Sequence, residues 1–171
     1  MPSARSNVLA DSGSGAGNKK HATVVVDASF VLKLVLPEEY SDCVRRIWEA
    51  WIKSGTDVSA PYLLIYEVVS VLRNKVFRGE LCPEEGEAAL LAIEAQGIHL
   101  LHIEGMEQVA WELANEFNQP AAYDATYLAL ARILDCEFWT ADAKLKNAVQ
   151  GCLLYKSDAA DDMQCVDLGG R

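Results

Sequence analysis

Residues 23–37 read TVVVDASFVLKLVLP and set the architecture of the chain. The β-branched run at 23–26 predicts a buried strand that ends at Asp27. The apolar segment that follows predicts a short helix, which Pro37 stops because a residue that precedes proline disfavours helical geometry. The segment therefore predicts a strand, a turn and a helix.

The same alternation continues along the chain. Further strands are predicted over 57–60, 98–103, 137–140 and 153–155. Further helices are predicted over 38–54, 62–76, 83–96, 104–118, 121–134 and 141–149. Strands that alternate with helices favour right-handed parallel crossovers, so the expected fold class is α/β. We expect a three-layer sandwich whose central, mainly parallel sheet of four to five strands is flanked by helices.

The length of 171 residues fits one folded domain. The Gly/Ser-rich run at 12–17 cannot build a core, so residues 1–22 are interpreted as a flexible arm or a vector-derived remnant. Residues 23–155 are the expected domain. Residues 156–171, which are acidic and end in glycines, are interpreted as a C-terminal tail.

The composition excludes several classes of protein. With 51% hydrophobic and 23% charged residues, the composition is that of a folded chain rather than a disordered one. The sequence contains no apolar run of about 18 residues, so no membrane-spanning helix is expected. The net charge of −10 argues against binding nucleic acid through a broadly basic surface. A surplus of carboxylates is, however, compatible with binding divalent cations.

The cysteines and histidines predict no metal site. The five cysteines are widely spaced and form no CxxC motif, so neither a zinc site nor a disulfide framework is expected, and a reducing cytoplasm fits best. His99 and His102 are expected on opposite faces of one strand, where they cannot share a ligand.

Four acidic residues interrupt apolar sequence: Asp27, Glu67, Asp124 and Asp142. Asp27 and Asp142 follow predicted strands, whereas Glu67 and Asp124 lie in mid-helix positions of apolar helices that are expected to be buried. Burying an ionised carboxylate is costly unless a cation or hydrogen bonds compensate. Because parallel strands share one carboxyl edge, we expect the four side chains to meet in an acidic pocket there.

An acidic pocket of this kind suits Mg²⁺ or Mn²⁺, which prefer oxygen ligands. A divalent ion among carboxylates supports phosphoryl transfer or the hydrolysis of phosphodiesters. The four acids are therefore the candidate catalytic and metal-binding residues.

Each acid also has an ordinary structural interpretation. Asp27 and Asp142 stand where helices are predicted to begin, so each could be an N-cap. Glu67 and Asp124 could instead form buried ion pairs with basic partners, for which the candidates are Lys33, Arg73 and Arg132.

Hydroxyl and basic side chains surround the candidate acids in sequence. Ser29 and Thr140 are candidate supporting hydroxyls that could bond a carboxylate or water, although an N-cap and a strand-end hydroxyl are the ordinary alternatives. Four basic residues are candidate contacts to the phosphates of a nucleic-acid strand or, alternatively, parts of solvated faces: Arg73, Lys75, Arg78 and Lys144.

Short motifs in this order resemble those of PIN-domain proteins, particularly the VapC-type toxin ribonucleases. They are VVVDAS at 24–29, PEE at 37–39, AP at 60–61 with YEV at 66–68, LR at 72–73, AYDA at 122–125 and WTAD at 139–142. The resemblance covers about residues 23–155. It implies a PIN-like fold in which Asp27, Glu67, Asp124 and Asp142 match the family's metal-binding acids, with Thr140 as the frequent hydroxyl near the last acid.

The same resemblance implies an activity and partners. The implied function is a Mg²⁺- or Mn²⁺-dependent endoribonuclease that acts as the toxin of a type II toxin–antitoxin pair. The implied assembly is a homodimer whose active-site groove receives a small antitoxin protein.

Other functions fit the residues less well. A haloacid dehalogenase-type phosphatase needs a second acid two residues after the first, where this chain has Ser29. A receiver domain needs paired acids at the first strand, and these are absent. The alternative that stays open is a catalytically silent PIN-like module that binds RNA or protein.

Overall fold

Four parallel strands form the central sheet in the order β3-β2-β1-β4. They are β1 (Thr23–Val26), β2 (Asp57–Pro61), β3 (His99–Leu101) and β4 (Glu137–Trp139). The structure is a computed structural model and describes residues 22–119 and 122–142. The parallel pairing of these strands confirms the α/β class expected from the sequence.

Within the described residues, six helices connect and flank the strands. They are α1 (Ala28–Val35), α2 (Ser41–Ser54), α3 (Leu63–Phe77), α4 (Pro83–Glu94), α5 (Met106–Glu116) and α6 (Tyr123–Leu134). Helix α6 packs against β1, β2 and β4 with α5 beside it, and α1 packs against α2, α3 and α4. Two groups of helices thus enclose the sheet, as the alternating pattern predicted.

The strand register brings the ends of β1 and β4 together. Val26 pairs with Trp139, so the next residues, Asp27 and Thr140, stand side by side. The backbone N–H of Asp27 continues the pairing by donating to the carbonyl of Trp139 at 3.3 Å. The two strands are therefore neighbours, and their carboxyl ends share one edge of the sheet, where the sequence analysis expected the acidic pocket.

Aromatic packing holds α1 against the sheet directly behind that edge. The ring of Phe30 stacks on Trp51 with centroids 5.3 Å apart, and Trp51 meets Trp139 edge-on at 5.0 Å. Trp48 extends the cluster at 6.0 Å from Trp51. The junction between β1 and α1 therefore rests on a rigid aromatic core.

Several predicted boundaries differ from the structure, and two of them have a clear local reason. Helix α2 begins at Ser41 rather than residue 38, because Tyr40 adopts a left-handed backbone (φ 68°) and the Ser41 hydroxyl donates to the carbonyl of Leu36. Strand β3 ends at Leu101, so His102 lies beyond it and pairs with Glu107 at 3.4 Å. The histidines therefore do not occupy opposite faces of one strand.

The cysteines differ from expectation at one position. Cys43 is disulfide-bonded, whereas Cys82 and Cys136 are free thiols.

No helix within the described residues combines the length and apolar character that a membrane crossing needs.

Several predictions concern parts of the chain outside the described residues. The predicted helix at 141–149 lies almost wholly there, as do the strand at 153–155, Lys144, the acidic tail and nearly all of the N-terminal arm. Ala22 is described, and its carbonyl accepts a hydrogen bond from the N–H of Asp57 at 2.8 Å, one residue before the predicted start of the domain.

We expect Phe30→Ala to lower the free energy of unfolding by roughly 3 to 5 kcal/mol, because it empties an aromatic site in the core. Phe30 is 1% exposed. Phe77, which is 80% exposed, provides the matched control, and Phe77→Ala should change stability by about 0.5 kcal/mol at most. Urea denaturation of both variants measures the difference, and equal losses would contradict the packing described here.

Candidate active site

Asp27 is the one buried acid among the residues that the structure describes. Its side chain is buried at the carboxyl end of β1, where it caps α1: Oδ1 accepts from the N–H of Phe30 at 2.9 Å and from the Ser29 hydroxyl at 2.7 Å. Oδ2 accepts from the Thr140 hydroxyl at 2.5 Å. The N-cap interpretation is therefore right for Asp27, and the same bonds fix its carboxylate at the sheet edge.

The two candidate hydroxyls connect Asp27 to the segment that carries Asp142. The hydroxyls of Ser29 and Thr140 lie 3.2 Å apart. The N–H of Ala141 donates to Ser29 Oγ at 2.9 Å, and the N–H of Asp142 donates to Thr140 Oγ1 at 3.0 Å. This network positions residues 140–142 against the β1–α1 junction.

Glu67 projects from α3 and is half-buried. Its carboxylate accepts a hydrogen bond from the hydroxyl of Tyr127 on α6 at 2.6 Å. Tyr127, 1% exposed, is a site residue that the sequence analysis missed. Its position three residues after Asp124 was the available signal, because residues at that spacing share a helix face.

Asp124 occupies the first turn of α6, so its predicted mid-helix position was wrong. Asp124 and Asp142 are both exposed residues. Neither Glu67 nor Asp124 forms an ion pair with any basic residue in the described part of the chain, so the buried-pair alternative was wrong there.

All four acids line one cavity of about 820 Å³ at the carboxyl edge of the sheet. Side chains from α1, α3 and α6 and the segment after β4 contribute its wall. The expectation that the four carboxylates share one pocket agrees with this arrangement.

Burial and mutual repulsion raise the pKa values of three of the acids. Burial raises the pKa of Asp27 from 3.8 to about 6, against its three hydrogen bonds, and repulsion from Glu67 adds to the rise. Burial and then the neighbouring Asp124 raise the pKa of Glu67, and burial and then Asp142 raise that of Asp124. The acids thus form an electrostatically coupled series along the cavity.

The donor chemistry of this series fits a hard divalent cation. The carboxylates supply only oxygen, which Mg²⁺ and Mn²⁺ prefer, and a cation would offset the repulsion that raises their pKa values. Within residues 22–119 and 122–142, however, no three Asp, Glu, His or Cys side chains lie close enough to enclose an ion. The carboxylates share a cavity without forming a preassembled ligand sphere.

The three candidate basic contacts within the described residues lie in different places. Lys75 lines the acidic cavity, whereas Arg73 faces smaller grooves beside Phe77 and Leu90 on the α3–α4 surface. Arg78 is exposed and lies 3.9 Å from Glu80. Of these three, only Lys75 is in the cavity.

The model of the PIN domain family matches residues 24–150 of the chain. The chain belongs to the PIN-domain family. The matched range includes all four acids of the cavity and confirms the family resemblance of the sequence motifs.

Curated relatives of this PIN domain are ribonucleases. VapC ribonuclease Mb0985 of Mycobacterium bovis is 30% identical over 127 residues, which cover 74% of this chain and 91% of the relative. Ribonuclease VapC1 of Mycobacterium tuberculosis is 32% identical over 129 residues, which cover 72% and 89%.

A solved structure supports the PIN fold. The crystal structure of Mycobacterium tuberculosis VapC20, described as a sarcin-ricin loop cleaving toxin, superimposes with a TM-score of 0.57 at 20% identity. The match covers 73% of this chain and 94% of VapC20.

We expect Asp27→Asn to stabilise the metal-free PIN domain, because asparagine keeps the acceptor for Phe30 and removes a buried charge. A folded pKa near 6 means that the native state binds the extra proton, so wild-type stability falls as pH rises from about 4 to 6. The pKa rise corresponds to roughly 3 kcal/mol. Urea denaturation in EDTA at pH 5 and pH 7.5 measures the effect, and a variant less stable than wild type at pH 7.5 would contradict it.

Proposed function

We propose that this protein is a Mg²⁺- or Mn²⁺-dependent endoribonuclease and the toxin of a type II toxin–antitoxin pair. The observation that carries the proposal is the convergence of Asp27, Glu67, Asp124 and Asp142 on one cavity of a PIN domain. The ribonuclease relatives, each nearly full length in its match, support RNA as the substrate.

The four carboxylates would hold the ion, and the ion would promote ionisation of a water and offset charge on the phosphodiester. The other residues act on the carboxylates. Ser29 and Thr140 fix both oxygens of Asp27, and the Tyr127 hydroxyl orients Glu67. Burial raises the pKa of the Tyr127 hydroxyl far above its usual range, so this group stays a proton donor.

Two exposed aromatic side chains at the cavity favour single-stranded RNA. Tyr66 is 71% exposed and precedes Glu67, and Tyr123 is 65% exposed and precedes Asp124. Both line the acidic cavity. Unpaired bases stack on exposed aromatic rings, whereas bases in a duplex are already stacked on each other.

The antitoxin partner, the homodimer and the cytoplasmic location belong to the same proposal. The antitoxin and the homodimer rest on the relatedness to VapC ribonucleases, and the cytoplasmic location rests on the wide spacing of the cysteines. A small protein that enters the cavity would compete with RNA for the same space.

We expect the purified protein to cleave single-stranded RNA with Mn²⁺ or Mg²⁺ and to lose that cleavage in EDTA. Asp27→Asn and Asp142→Asn should each lower kcat on the order of a hundredfold, because each removes a metal-binding carboxylate. Asp42→Asn is the matched control, since Asp42 lies on the outer face of α2 with a side chain that is 97% exposed. A labelled RNA and gel analysis measure the rates.

Cleavage that survives Asp27→Asn and Asp142→Asn together would contradict the site. Binding of RNA without cleavage would instead indicate the catalytically silent module. A growth assay tests the toxin role. Expression of the wild-type protein, but not of Asp27→Asn, should arrest growth of the host cells, and co-expression of a small neighbouring gene should relieve the arrest. Cleavage in vitro without growth arrest would contradict the toxin role alone.

We expect Tyr66→Ala and Tyr123→Ala to raise KM for single-stranded RNA roughly tenfold, because each removes a stacking surface. Tyr62→Ala is the control, since Tyr62 is 57% exposed but lies outside the cavity lining. Steady-state kinetics on an unpaired RNA measure the effect. Equal KM values for all three variants would show that the rings of Tyr66 and Tyr123 do not bind bases.

A further inference from the structure

Two lysines stand in the same cavity as the acids. Lys33 on α1 and Lys75 on α3 both line it, with side chains that are only 17% and 25% exposed. Between them lies Glu38, whose carboxylate is 2.7 Å from the Lys75 ammonium and 3.7 Å from that of Lys33. One anionic group is thus held by two cationic groups inside the acidic cavity.

The geometry of helices α1 and α3 sets the distance between the two lysines and the acids Asp27 and Glu67. Lys33 follows Asp27 by six positions along α1, and Lys75 follows Glu67 by eight along α3, about 9 Å and 12 Å of helix rise. Helices α1 and α3 pack together, and Asp27 and Glu67 repel each other at one end while the lysines meet at Glu38. The two helices therefore carry an acidic end and a basic end along one cavity.

A phosphate group and the Glu38 carboxylate present similar chemistry to these lysines. Both offer anionic oxygens that accept charge-assisted hydrogen bonds from ammonium groups. The Lys75 ammonium also lies 3.5 Å from the carboxylate of Glu80, but the Glu80 side chain is 47% exposed, so solvent weakens this ion pair. The position of Glu38 is therefore the position where the lysines would bind a phosphate most strongly.

We propose that Lys33 and Lys75 form a subsite for an RNA phosphate next to the one that is cleaved, and that Glu38 occupies this subsite until RNA displaces it. The inference rests on the proposed ribonuclease function and adds the direction of the strand: the cleaved phosphate at the carboxylates, the neighbouring backbone towards the C-terminal ends of α1 and α3. It also explains how an acidic cavity binds a polyanion.

The bridge could instead have a structural role alone, tying the α1–α2 connection to α3. The two roles predict changes of RNA affinity with different signs. If the bridge is only structural, neutralising either partner weakens the protein and RNA binding in the same direction. If Glu38 competes with phosphate, Glu38→Gln tightens RNA binding while Lys75→Met weakens it.

The experiment measures equilibrium binding of a labelled, unpaired RNA in the Asp27→Asn background, so that cleavage does not interfere. We expect Lys33→Met and Lys75→Met each to weaken binding about tenfold and Glu38→Gln to tighten it several-fold. The slope of log affinity against log salt should become shallower by about 0.7 when both lysines are removed, because the subsite holds one phosphate. Thermal melts verify that every variant is folded.

Lys53 and Glu49 provide matched controls. They form a 3.7 Å pair on α2 with side chains that are 78% and 67% exposed, outside the cavity lining. Lys53→Met and Glu49→Gln should change binding less than twofold. If Lys75→Met fails to fold, Lys33→Met and Glu38→Gln still carry the test.

Opposite effects at Glu38 and at the lysines support the subsite. Effects of the same sign, or effects no larger than those of the control pair, overturn it. Failure of the proposed function is distinguishable: a wild-type protein that binds RNA without cleaving it contradicts the ribonuclease, while the signs at Glu38 and the lysines still decide the subsite.

Discussion

The buried carboxylate of Asp27 is the constraint on which the site depends. It starts α1 by capping the N–H of Phe30, and it joins β1 to the end of β4 through Thr140. Desolvation opposes its charge, as the pKa near 6 shows, and the aromatic packing of Phe30 holds the junction in place against that cost. Local folding and candidate chemistry therefore use the same side chain.

A net charge of −10 and an RNA substrate are compatible because the charges inside the cavity are separated in space. The acids occupy one end, where a divalent cation would reverse the local charge, and Lys33 and Lys75 occupy the other. Lys33 and Lys75 share the Glu38 carboxylate, so part of their positive charge is offset before a ligand arrives. Affinity then comes from exchanging one anion for another rather than from a broadly basic surface.

The sequence was sufficient for the sheet and for the four acids that line the cavity, because a lone charge in an apolar window is a local signal. Asp27 after three valines and Glu67 within an apolar helix were visible in this way. Contacts between distant helices were not. The hydrogen bond from Tyr127 to Glu67 and the pairing of Glu38 with both lysines depend on how α1, α3 and α6 pack, and no short pattern records that packing.

The Thr140 hydroxyl reaches Asp27 across 113 positions of sequence, and β4 is the last strand in the described residues. During synthesis, the carboxylate at the end of β1 leaves the ribosome long before the residues that complete its surroundings. A nascent chain that stops before residue 140 lacks both the hydroxyl that fixes Asp27 and the acid at 142. An unfinished copy that lacks residues 140–142 therefore lacks the assembled cavity.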